Sequence, residues 1–455
     1  MSARRVAVIG AGASGLVSAK WLATAGLDPV VFERAERIGG VWTYDQSLPG
    51  GGSPSYRSLV TNVSRQKTHL SDHELGGDLG GSSDQRLAGD RDDFPGRARV
   101  LRWLEAYADR FDVRRRIRLR TPVRGIERRG HVWHVDGEPF DAVVVASGLF
   151  SRPFTPDVAG LDSFQGRVMH ATEYMHPEPF ADVDVIVVGA GSSGADIAVE
   201  LARVARVCLS VRAVAPVVPK TVGGRPLDHL LTRRLEQRPE DERGRSLYEA
   251  IGGEYRRRGL PDPAVWPAGL APLVPGRAPT PSEDLAAMIL RGTIALQPAI
   301  ESIDGEHVVF GDGTRRRVDL ILFATGHSLE LPMLPPGLLP VREQVEIDLY
   351  RHVWHPEVAG LAFVGLCRVS GAVPPIAEMQ ARWIARVLSG AAFLPPTGVM
   401  RHEIAERRAR HLSAGTEYMR VPFLGYLDEI ADLIGARPQD ERSLQDAVVS
   451  ATQYR

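Results

Sequence analysis

Two glycine-rich turns of nearly the same sequence constrain what this chain can fold into. The first reads VIGAGASGLVSAKW from Val8, and the second reads VVGAGSSGADIAVE from Val187. Each turn follows a short β-branched run typical of a buried strand, and each precedes a stretch with apolar residues at helical spacing. A strand, a tight turn and a helix in this order predict a βαβ unit with parallel strands. We therefore expect an α/β fold that contains two such units.

The periodicity of apolar residues places the other elements around these turns. The first unit is predicted as strand 6–10, helix 14–25 and strand 29–33, and the second unit runs over 184–212. The remaining predictions are a helix over 97–111, strands over 131–135 and 140–146, further strands within 305–326, a helix over 374–390, and irregular segments over 45–58, 76–93 and 213–285.

Composition excludes several classes of partner. The chain has 455 residues, of which 44% are apolar and 24% charged, with 55 Lys and Arg against 56 Asp and Glu. This balance carries no electrostatic footprint for nucleic acid or for an anionic membrane surface. The apolar runs are shorter than the roughly 20 residues of a membrane helix. We therefore expect a cytoplasmic protein. The histidines show no metal-ligand spacing, so we predict no metal site.

The first turn has the spacing of a dinucleotide-binding fingerprint. Gly10 allows the tight turn, Gly12 lets backbone amides approach a pyrophosphate, and Gly15 lets the helix pack closely on the strand. The helix N-terminus then faces the anion. Ala13 and Ser14 lie between these glycines and belong to the same predicted site.

The residue at the end of the second strand differs between the two units. Glu33 follows Gly10 by 23 positions, and Arg212 follows Gly189 by 23 positions. A carboxylate accepts hydrogen bonds from a ribose diol, whereas an arginine suits a 2′-phosphate. We therefore predict FAD in the first unit and NADPH in the second. The predicted phosphate-binding residues of the second unit are Gly189, Gly191, Ser192, Ser193 and Gly194.

Two nucleotides in one chain predict the transfer of a hydride from NADPH to the flavin. Gly40 and Trp42, in the sequence GGVW, are expected to lie near the flavin. A reduced flavin passes its electrons to a disulfide, a quinone, an iron–sulfur partner or oxygen. The chain has two cysteines, Cys208 and Cys367, and no CxxC pair, which argues against the disulfide route.

Three further motifs resemble those of the class B flavin-dependent monooxygenases, the flavin-containing monooxygenase family. FQGRVMHATEY, from Phe164 to Tyr174, resembles the signature FxGxxxHxxx(Y/F). DLILFATGH, ending at His327, resembles the element DxxxFATGY, and PPIAEMQARW, from Pro374 to Trp383, resembles a helix of the family. The similarity covers nearly the whole chain, with the motifs in the same order.

The resemblance implies an activity and a domain organisation. NADPH reduces FAD, oxygen forms a C4a-hydroperoxyflavin, and a nucleophilic nitrogen or sulfur of a small molecule is oxygenated. The implied fold has two dinucleotide-binding Rossmann-like domains, the NADPH domain being inserted into the FAD domain. We expect the FAD domain over 1–155 and 296–455 and the NADPH domain over 156–295. The expected partners are the small-molecule substrate and O₂, and a homodimer is a further expectation.

The resemblance also implies site residues. Asn62, in the family context LxTN, is expected to sit near flavin N5–H and limit the loss of peroxide, and it is the predicted catalytic residue. Arg34, Val41 and Val123 complete the predicted cofactor-binding set.

The sequence departs from the family pattern at two places, and three alternative functions are left open. His327 replaces the usual Tyr, and HLSDHELGGDLGGSSDQ replaces a Pro- and aromatic-rich segment. His170 and Tyr174 are expected to organise the interdomain linker rather than touch substrate. The alternatives are Baeyer–Villiger oxygenation of a ketone, against which Tyr174 argues because those relatives have Trp there, an NADPH-dependent flavin reductase or oxidase, and a flavin-binding sensor.

Overall fold

The computed structural model of the chain describes residues 3–44, 53–76, 93–274, 277–438 and 444–454. The predicted loop over 76–93 lies almost wholly outside these residues, as does the part of the loop 45–58 that precedes residue 53. Among the described residues, no helix is long and apolar enough to cross a membrane.

The strands and helices are numbered in chain order. The strands are β1 (Arg5–Ile9), β2 (Asp28–Phe32), β3 (Ile117–Arg118), β4 (Ile126–Arg129), β5 (Val132–Val135), β6 (Glu138–Phe140), β7 (Ala142–Val145), β8 (Arg152–Pro153), β9 (Arg167–His170), β10 (Asp184–Val188), β11 (Arg206–Ser210), β12 (Ala215–Val218), β13 (Thr221–Val222), β14 (Arg225–Pro226), β15 (Leu270–Ala271), β16 (Thr280–Pro281), β17 (Ile294–Gln297), β18 (Ile300–Asp304), β19 (His307–Phe310), β20 (Arg315–Arg317), β21 (Leu320–Phe323), β22 (His327–Ser328), β23 (Leu361–Phe363), β24 (Arg368–Ser370) and β25 (Arg420–Pro422). The helices are α1 (Ala13–Thr24), α2 (Arg65–Thr68), α3 (Arg97–Arg110), α4 (Ser192–Leu201), α5 (Arg233–Glu236), α6 (Glu240–Arg257), α7 (Leu285–Leu290), α8 (Val373–Leu388), α9 (Thr397–Ala414) and α10 (Phe423–Ile434).

The chain divides into two compact units. Unit 1 comprises Met1–Thr43, Val63–Arg152 and His327–Arg455, and unit 2 comprises Tyr44–Asn62 and Pro153–Gly326. In the chain, the segments of unit 2 therefore lie between segments of unit 1.

Unit 1 is built on a parallel sheet with strand order β23–β7–β1–β2–β3. Along β1, Val6 and Val8 face one apolar cluster and Ala7 and Ile9 face another, as the two-residue period of a strand requires. Helix α1 packs on the first of these faces through Leu16 and packs against α8 on its other side. Burial of each such apolar side chain contributes about 1.5–3 kcal/mol.

Unit 2 repeats this architecture. Its parallel sheet has the order β17–β11–β10–β21–β9, with α4 following β10 as α1 follows β1. The antiparallel strands β18, β19 and β20 form a separate three-stranded sheet in the same unit. The predicted α/β fold with two Rossmann-like domains is confirmed.

The boundary expected at residue 295 differs from the one that the contacts define. β21 pairs in parallel with β10, for example Ile186 with Ile321, and so completes the sheet of unit 2. Unit 2 therefore continues to Gly326. The pairing joins strands more than 130 residues apart in the chain, a relationship that local sequence patterns do not contain.

Candidate cofactor sites

The first glycine turn joins β1 to α1 in a conformation that favours glycine. Gly10 has φ +108°, and its N–H donates to the carbonyl of Phe32 at 2.8 Å. A Cβ atom at Gly10 would lie 2.7 Å from the carbonyl oxygen of Ala146. The backbone angle and the close approach therefore both require glycine here.

The first turn of α1 lies directly against this turn. A Cβ atom at Gly15 would lie 1.8 Å from the carbonyl oxygen of Gly10, so the helix and the strand approach more closely than any side chain permits. The N-cap residue is Gly12, which has no side chain to accept hydrogen bonds from the first helical N–H groups. Those of Ala13 and Ser14 are thus placed where a phosphate would accept them.

A second pair of glycines reaches the same place. The N–H of Gly39 donates to the carbonyl of Ala11 at 3.0 Å. Gly40 has φ +56°, and a Cβ atom on it would lie 3.0 Å from the Cα of Gly12. The structure therefore brings Gly40 against the glycine turn.

The carboxylate of Glu33 closes the turn from the side of β2. Its Oε2 accepts the N–H of Ala11 at 2.7 Å, its Oε1 accepts the N–H of Ala35 at 2.8 Å, and the residue is 8% exposed. Each carboxylate oxygen has two lone pairs, so both oxygens can still accept a hydrogen bond from a ribose hydroxyl.

The other predicted residues of this unit have different surroundings. Arg34 and Val41 are exposed, and Trp42 is half-buried against the cluster that contains α1. Val123 is half-buried against the apolar cluster of Ile9, which lies on the opposite face of the sheet from α1.

The second glycine turn has the geometry of the first. Gly189 has φ +103°, and its N–H donates to the carbonyl of Ser210 at 2.9 Å. A Cβ atom at Gly189 would lie 2.8 Å from the carbonyl oxygen of Ala324, and one at Gly194 would lie 1.9 Å from the carbonyl oxygen of Gly189. The same steric reasons therefore require glycine at these two positions.

The middle glycine of this turn faces open space. A Cβ atom at Gly191 would meet no protein atom within 4 Å. Gly191 is also the N-cap of α4, and the first helical residues Ser192 and Ser193 are exposed. Glycine at this position is thus suited to the close approach of a ligand rather than to protein packing.

The strand pairings correct the comparison of the two units. Ile9 pairs with Phe32, 23 positions later, whereas Val188 pairs with Ser210, 22 positions later. The structural counterpart of Glu33 is therefore Val211 and not Arg212. Arg212 lies one residue further from the end of β11.

Arg212 nevertheless has the properties of an anion ligand. Its side chain is exposed, and within the described part of the chain it has no hydrogen bond or ion pair. Val211, at the place of Glu33, is 8% exposed and packs in the apolar cluster of unit 2. No carboxylate therefore occupies the counterpart of the Glu33 position.

Asn62 is the last residue of the first segment of unit 2. Its Oδ1 is buried and has no hydrogen-bond partner among the described residues, and the same holds for the Oγ1 of Thr61. The Nζ of Lys220 donates to the carbonyl of Thr61 at 3.3 Å. A buried acceptor without a donor is costly, so this amide oxygen is suited to a donor from a bound molecule.

His170 links two of the sequence motifs. Its Nδ1 accepts the N–H of Thr172 at 3.2 Å, so Nε2 carries the proton and donates to the carbonyl of Gly326 at 3.0 Å. Burial lowers the pKa of this imidazole, which keeps it neutral. The residue therefore ties β9 to the turn after β21.

Tyr174 is fully buried in unit 2. Its hydroxyl donates to the Oε2 of Glu200 on α4 at 2.8 Å. Its ring packs against the rings of Tyr56 and Phe180, each with a centroid distance of 5.9 Å. The signature Tyr thus joins its motif to the helix that follows the second glycine turn.

His327, where the family pattern has Tyr, lies in unit 1. Its ring packs at a tilt on the ring of Phe150, with the centroids 5.2 Å apart.

Two buried polar residues of α8 were not among the predicted site residues. Gln380 accepts the N–H of Gly365 at 2.8 Å and donates to the hydroxyl of Tyr426 at 2.9 Å. Glu378 accepts hydrogen bonds from both the N–H and the hydroxyl of Ser71, each at 2.7 Å. The signal for them was the motif PPIAEMQARW, which places two polar residues within the buried stretch of a helix.

A model of the flavin-binding monooxygenase-like family matches residues 3–447 of the chain. Flavin-containing monooxygenase 5 of Oryctolagus cuniculus is 32% identical over 471 residues, covering 96% of this chain and 84% of the relative. Flavin-containing monooxygenase 2 of Homo sapiens is 30% identical over 465 residues, covering 96% and 83%.

Solved structures share the fold. S-allyl-L-cysteine S-oxygenase from Allium sativum superposes with a TM-score of 0.71 at 28% identity, covering 96% of this chain and 90% of that one. Cyclohexanone monooxygenase from Rhodococcus sp. Phi1, bound to NADP⁺, superposes with a TM-score of 0.63 at 20% identity, covering 95% and 98%. The family inferred from the motifs is confirmed: the chain belongs to the flavin-containing monooxygenases, oxidoreductases whose cofactors are FAD and NADPH.

Proposed function

We propose that this protein is an NADPH- and O₂-dependent monooxygenase that oxygenates a nitrogen or sulfur atom of a small molecule. The observation that carries the proposal is the pair of similar glycine turns that differ in charge. The first has the Glu33 carboxylate beside it, and the second has the exposed guanidinium of Arg212. One chain therefore offers one site for a ribose with free hydroxyls and another for a 2′-phosphate.

This difference supports our assignment of FAD to unit 1 and NADPH to unit 2. The N–H groups at the start of α1 would hold the FAD pyrophosphate, and Glu33 would accept from its ribose. Gly191, Ser192 and Ser193 would hold the NADPH pyrophosphate at the start of α4. Arg212 would pair with the 2′-phosphate. Bound FAD supplies the chemistry, because it accepts a hydride from NADPH and reacts with oxygen.

The protein must keep water from the reacting flavin and hold a hydrogen-bond acceptor beside it. Asn62 is our candidate for this acceptor because its Oδ1 is buried without a protein donor. Such an oxygen would orient a flavin N–H group and restrain it from exchanging protons with solvent.

Oxygenation of nitrogen or sulfur is favoured over oxygenation of a ketone by two observations. Tyr174 stands where Baeyer–Villiger relatives have Trp. One similar structure is named as an S-oxygenase, and several curated relatives are named as N-oxide-forming dimethylaniline monooxygenases.

Product analysis tests the proposal. The holoenzyme is incubated with NADPH and air and with a tertiary amine, a thioether or a cyclic ketone in turn. We expect an N-oxide or a sulfoxide, formed in proportion to the NADPH consumed, and no lactone. A lactone from the ketone with no product from the other two would overturn the assignment. Equal NADPH consumption without oxygen, in the presence of an electron acceptor, would indicate a reductase.

A further inference from the structure

The segment that carries Asn62 is held by two carboxylates of one helix. We call residues 53–62 the Asn62 segment. In this segment the Tyr56 hydroxyl donates to the Oδ2 of Asp196 at 2.7 Å, and the Ser58 hydroxyl donates to the Oε2 of Glu200 at 2.8 Å. Asp196 and Glu200 lie one turn apart on α4, so both face the same side of the helix.

Tyr174 of the family signature completes this arrangement. Its hydroxyl donates to the same Oε2 atom of Glu200 that accepts from Ser58. Tyr174 has no exposed surface and Tyr56 is 2% exposed, and their rings pack edge to face. Hydrogen bonds in such surroundings fix positions closely, because a lost partner leaves a buried polar group unpaired.

Backbone contacts extend this anchoring along the segment. The N–H of Arg57 donates to the carbonyl of Met175 at 2.9 Å, and the side chain of Arg57 forms an ion pair with Glu178. At the far end, Lys220 donates to the carbonyl of Thr61, the residue before Asn62. All these partners belong to unit 2.

We propose that Glu200 is a positioning residue for Asn62: by accepting hydrogen bonds from Tyr174 and Ser58 it fixes the Asn62 segment to α4. This inference rests on the proposed function, which gives Asn62 its role beside the flavin. The hydroxyl of Tyr174 would then act through Glu200, without contacting the substrate. It also makes α4, whose N-terminus is the candidate NADPH site, the support of Asn62.

The test compares how well holoenzyme variants couple NADPH use to oxygenation. Glu200→Leu removes the shared acceptor, and Tyr174→Phe removes one donor. We expect each to raise the peroxide released per NADPH about threefold to tenfold, the factor that loss of one net hydrogen bond represents. Flavin reduction by NADPH should stay within about twofold of the parent enzyme.

Two matched controls separate positioning from general damage. Glu200→Gln keeps an oxygen in the place of Oε2 and should restore coupling. Tyr255→Phe removes another buried hydroxyl of unit 2, one that donates to the carbonyl of Val217 at 3.0 Å and not to the Asn62 segment. The thermal midpoint of Tyr255→Phe should fall as that of Tyr174→Phe does, but the peroxide released per NADPH should not rise. Peroxide release by either control equal to that of Glu200→Leu would overturn the inference.

A double-mutant cycle with Asn62→Ala tests the link to Asn62 itself. Once the Asn62 side chain is gone, Tyr174→Phe should add little further peroxide. If it multiplies the peroxide yield by the same factor as in the parent enzyme, Tyr174 does not act through Asn62. If Asn62→Ala alone leaves coupling unchanged, the role of Asn62 in the proposed function is wrong. If Asn62→Ala lowers coupling but Tyr174→Phe acts independently of it, only the positioning inference is wrong.

Discussion

The carboxylate of Glu33 accepts the backbone N–H of Ala11, inside the first glycine turn, at 2.7 Å. The same carboxylate accepts the N–H of Ala35 through its other oxygen. Glu33 therefore holds the backbone of the turn, in addition to its proposed contact with the FAD ribose.

Replacing Glu33 should separate these two tasks. We expect Glu33→Ala to lower the stability of the apoprotein by about 1–3 kcal/mol, because the buried N–H of Ala11 and the partly buried N–H of Ala35 lose their acceptor. Glu33→Gln keeps one acceptor oxygen and should be less destabilised, while both variants should retain less FAD. Denaturant unfolding of the apoprotein and the flavin-to-protein ratio measure the two effects. Full FAD retention by Glu33→Ala would contradict the proposed ribose contact.

Two glycines of the second turn should differ in their response to alanine. A Cβ at Gly194 would collide with the carbonyl of Gly189, whereas a Cβ at Gly191 would enter open space. We expect Gly194→Ala to destabilise the protein by roughly 1–3 kcal/mol as a result of overpacking. Gly191→Ala should leave the thermal midpoint unchanged and raise the KM for NADPH. A Gly191→Ala variant with normal NADPH kinetics would place the pyrophosphate elsewhere.

Arg212 should discriminate NADPH from NADH. A charged hydrogen bond to a 2′-phosphate contributes about 1.5–3 kcal/mol, so Arg212→Ala should lower kcat/KM for NADPH about tenfold to a hundredfold. NADH lacks this phosphate, and its kcat/KM should change little. Arg206→Ala, at the start of β11 and paired with Asp184, is the matched control. An equal loss with both nucleotides would remove Arg212 from the phosphate site.

His352 should make the protein sensitive to mild acid. The residue is 1% exposed, neither ring nitrogen has a partner among the described residues, and burial lowers its pKa to about 3. Below pH 6.5 the unfolded chain therefore binds a proton at His352 that the folded chain does not bind. The free energy of unfolding falls as the pH drops from 6.5 towards the pKa of His352 in the folded state.

The protonation of His352 in the unfolded chain lowers the free energy of unfolding by about 2 kcal/mol between pH 7 and pH 5. His352→Phe cannot titrate, so its free energy of unfolding should fall less over that range than the free energy of the parent protein does. Denaturant unfolding at the two pH values measures the difference. The same loss in both proteins would show that other groups cause the acid sensitivity.

The local elements were predictable because their signals are local. The strand expected over 6–10 is β1 (Arg5–Ile9), and the helix expected over 374–390 is α8 (Val373–Leu388). The 18-residue helix α6 was missed in the segment 213–285. Its sequence EDERGRSLYEAIGGEYRR contains three glycines and few apolar residues, so the helical period is weak there.

The site was predictable as far as its motifs reach. Within each turn the glycines lie together as their spacing indicates. The equal offsets of Glu33 and Arg212 suggested that the two residues occupy equivalent positions, but the strand pairings show that they do not. Helix α4 is two residues shorter than α1 and the connection after it is one residue longer, so the strand that follows is shifted by one residue. The hydrogen bonds of Glu200 with Ser58 and Tyr174 join distant parts of the chain, so no local pattern shows them.

The most direct test of the central claim is rapid mixing of the reduced enzyme with oxygen. The holoenzyme is reduced anaerobically with NADPH and mixed with aerated buffer while the flavin spectrum is followed. We predict a transient species, distinct from oxidised and reduced flavin, that decays faster when an amine or thioether is added. Direct return to oxidised flavin, at a rate that neither compound changes, would contradict the assignment as a monooxygenase of nitrogen or sulfur.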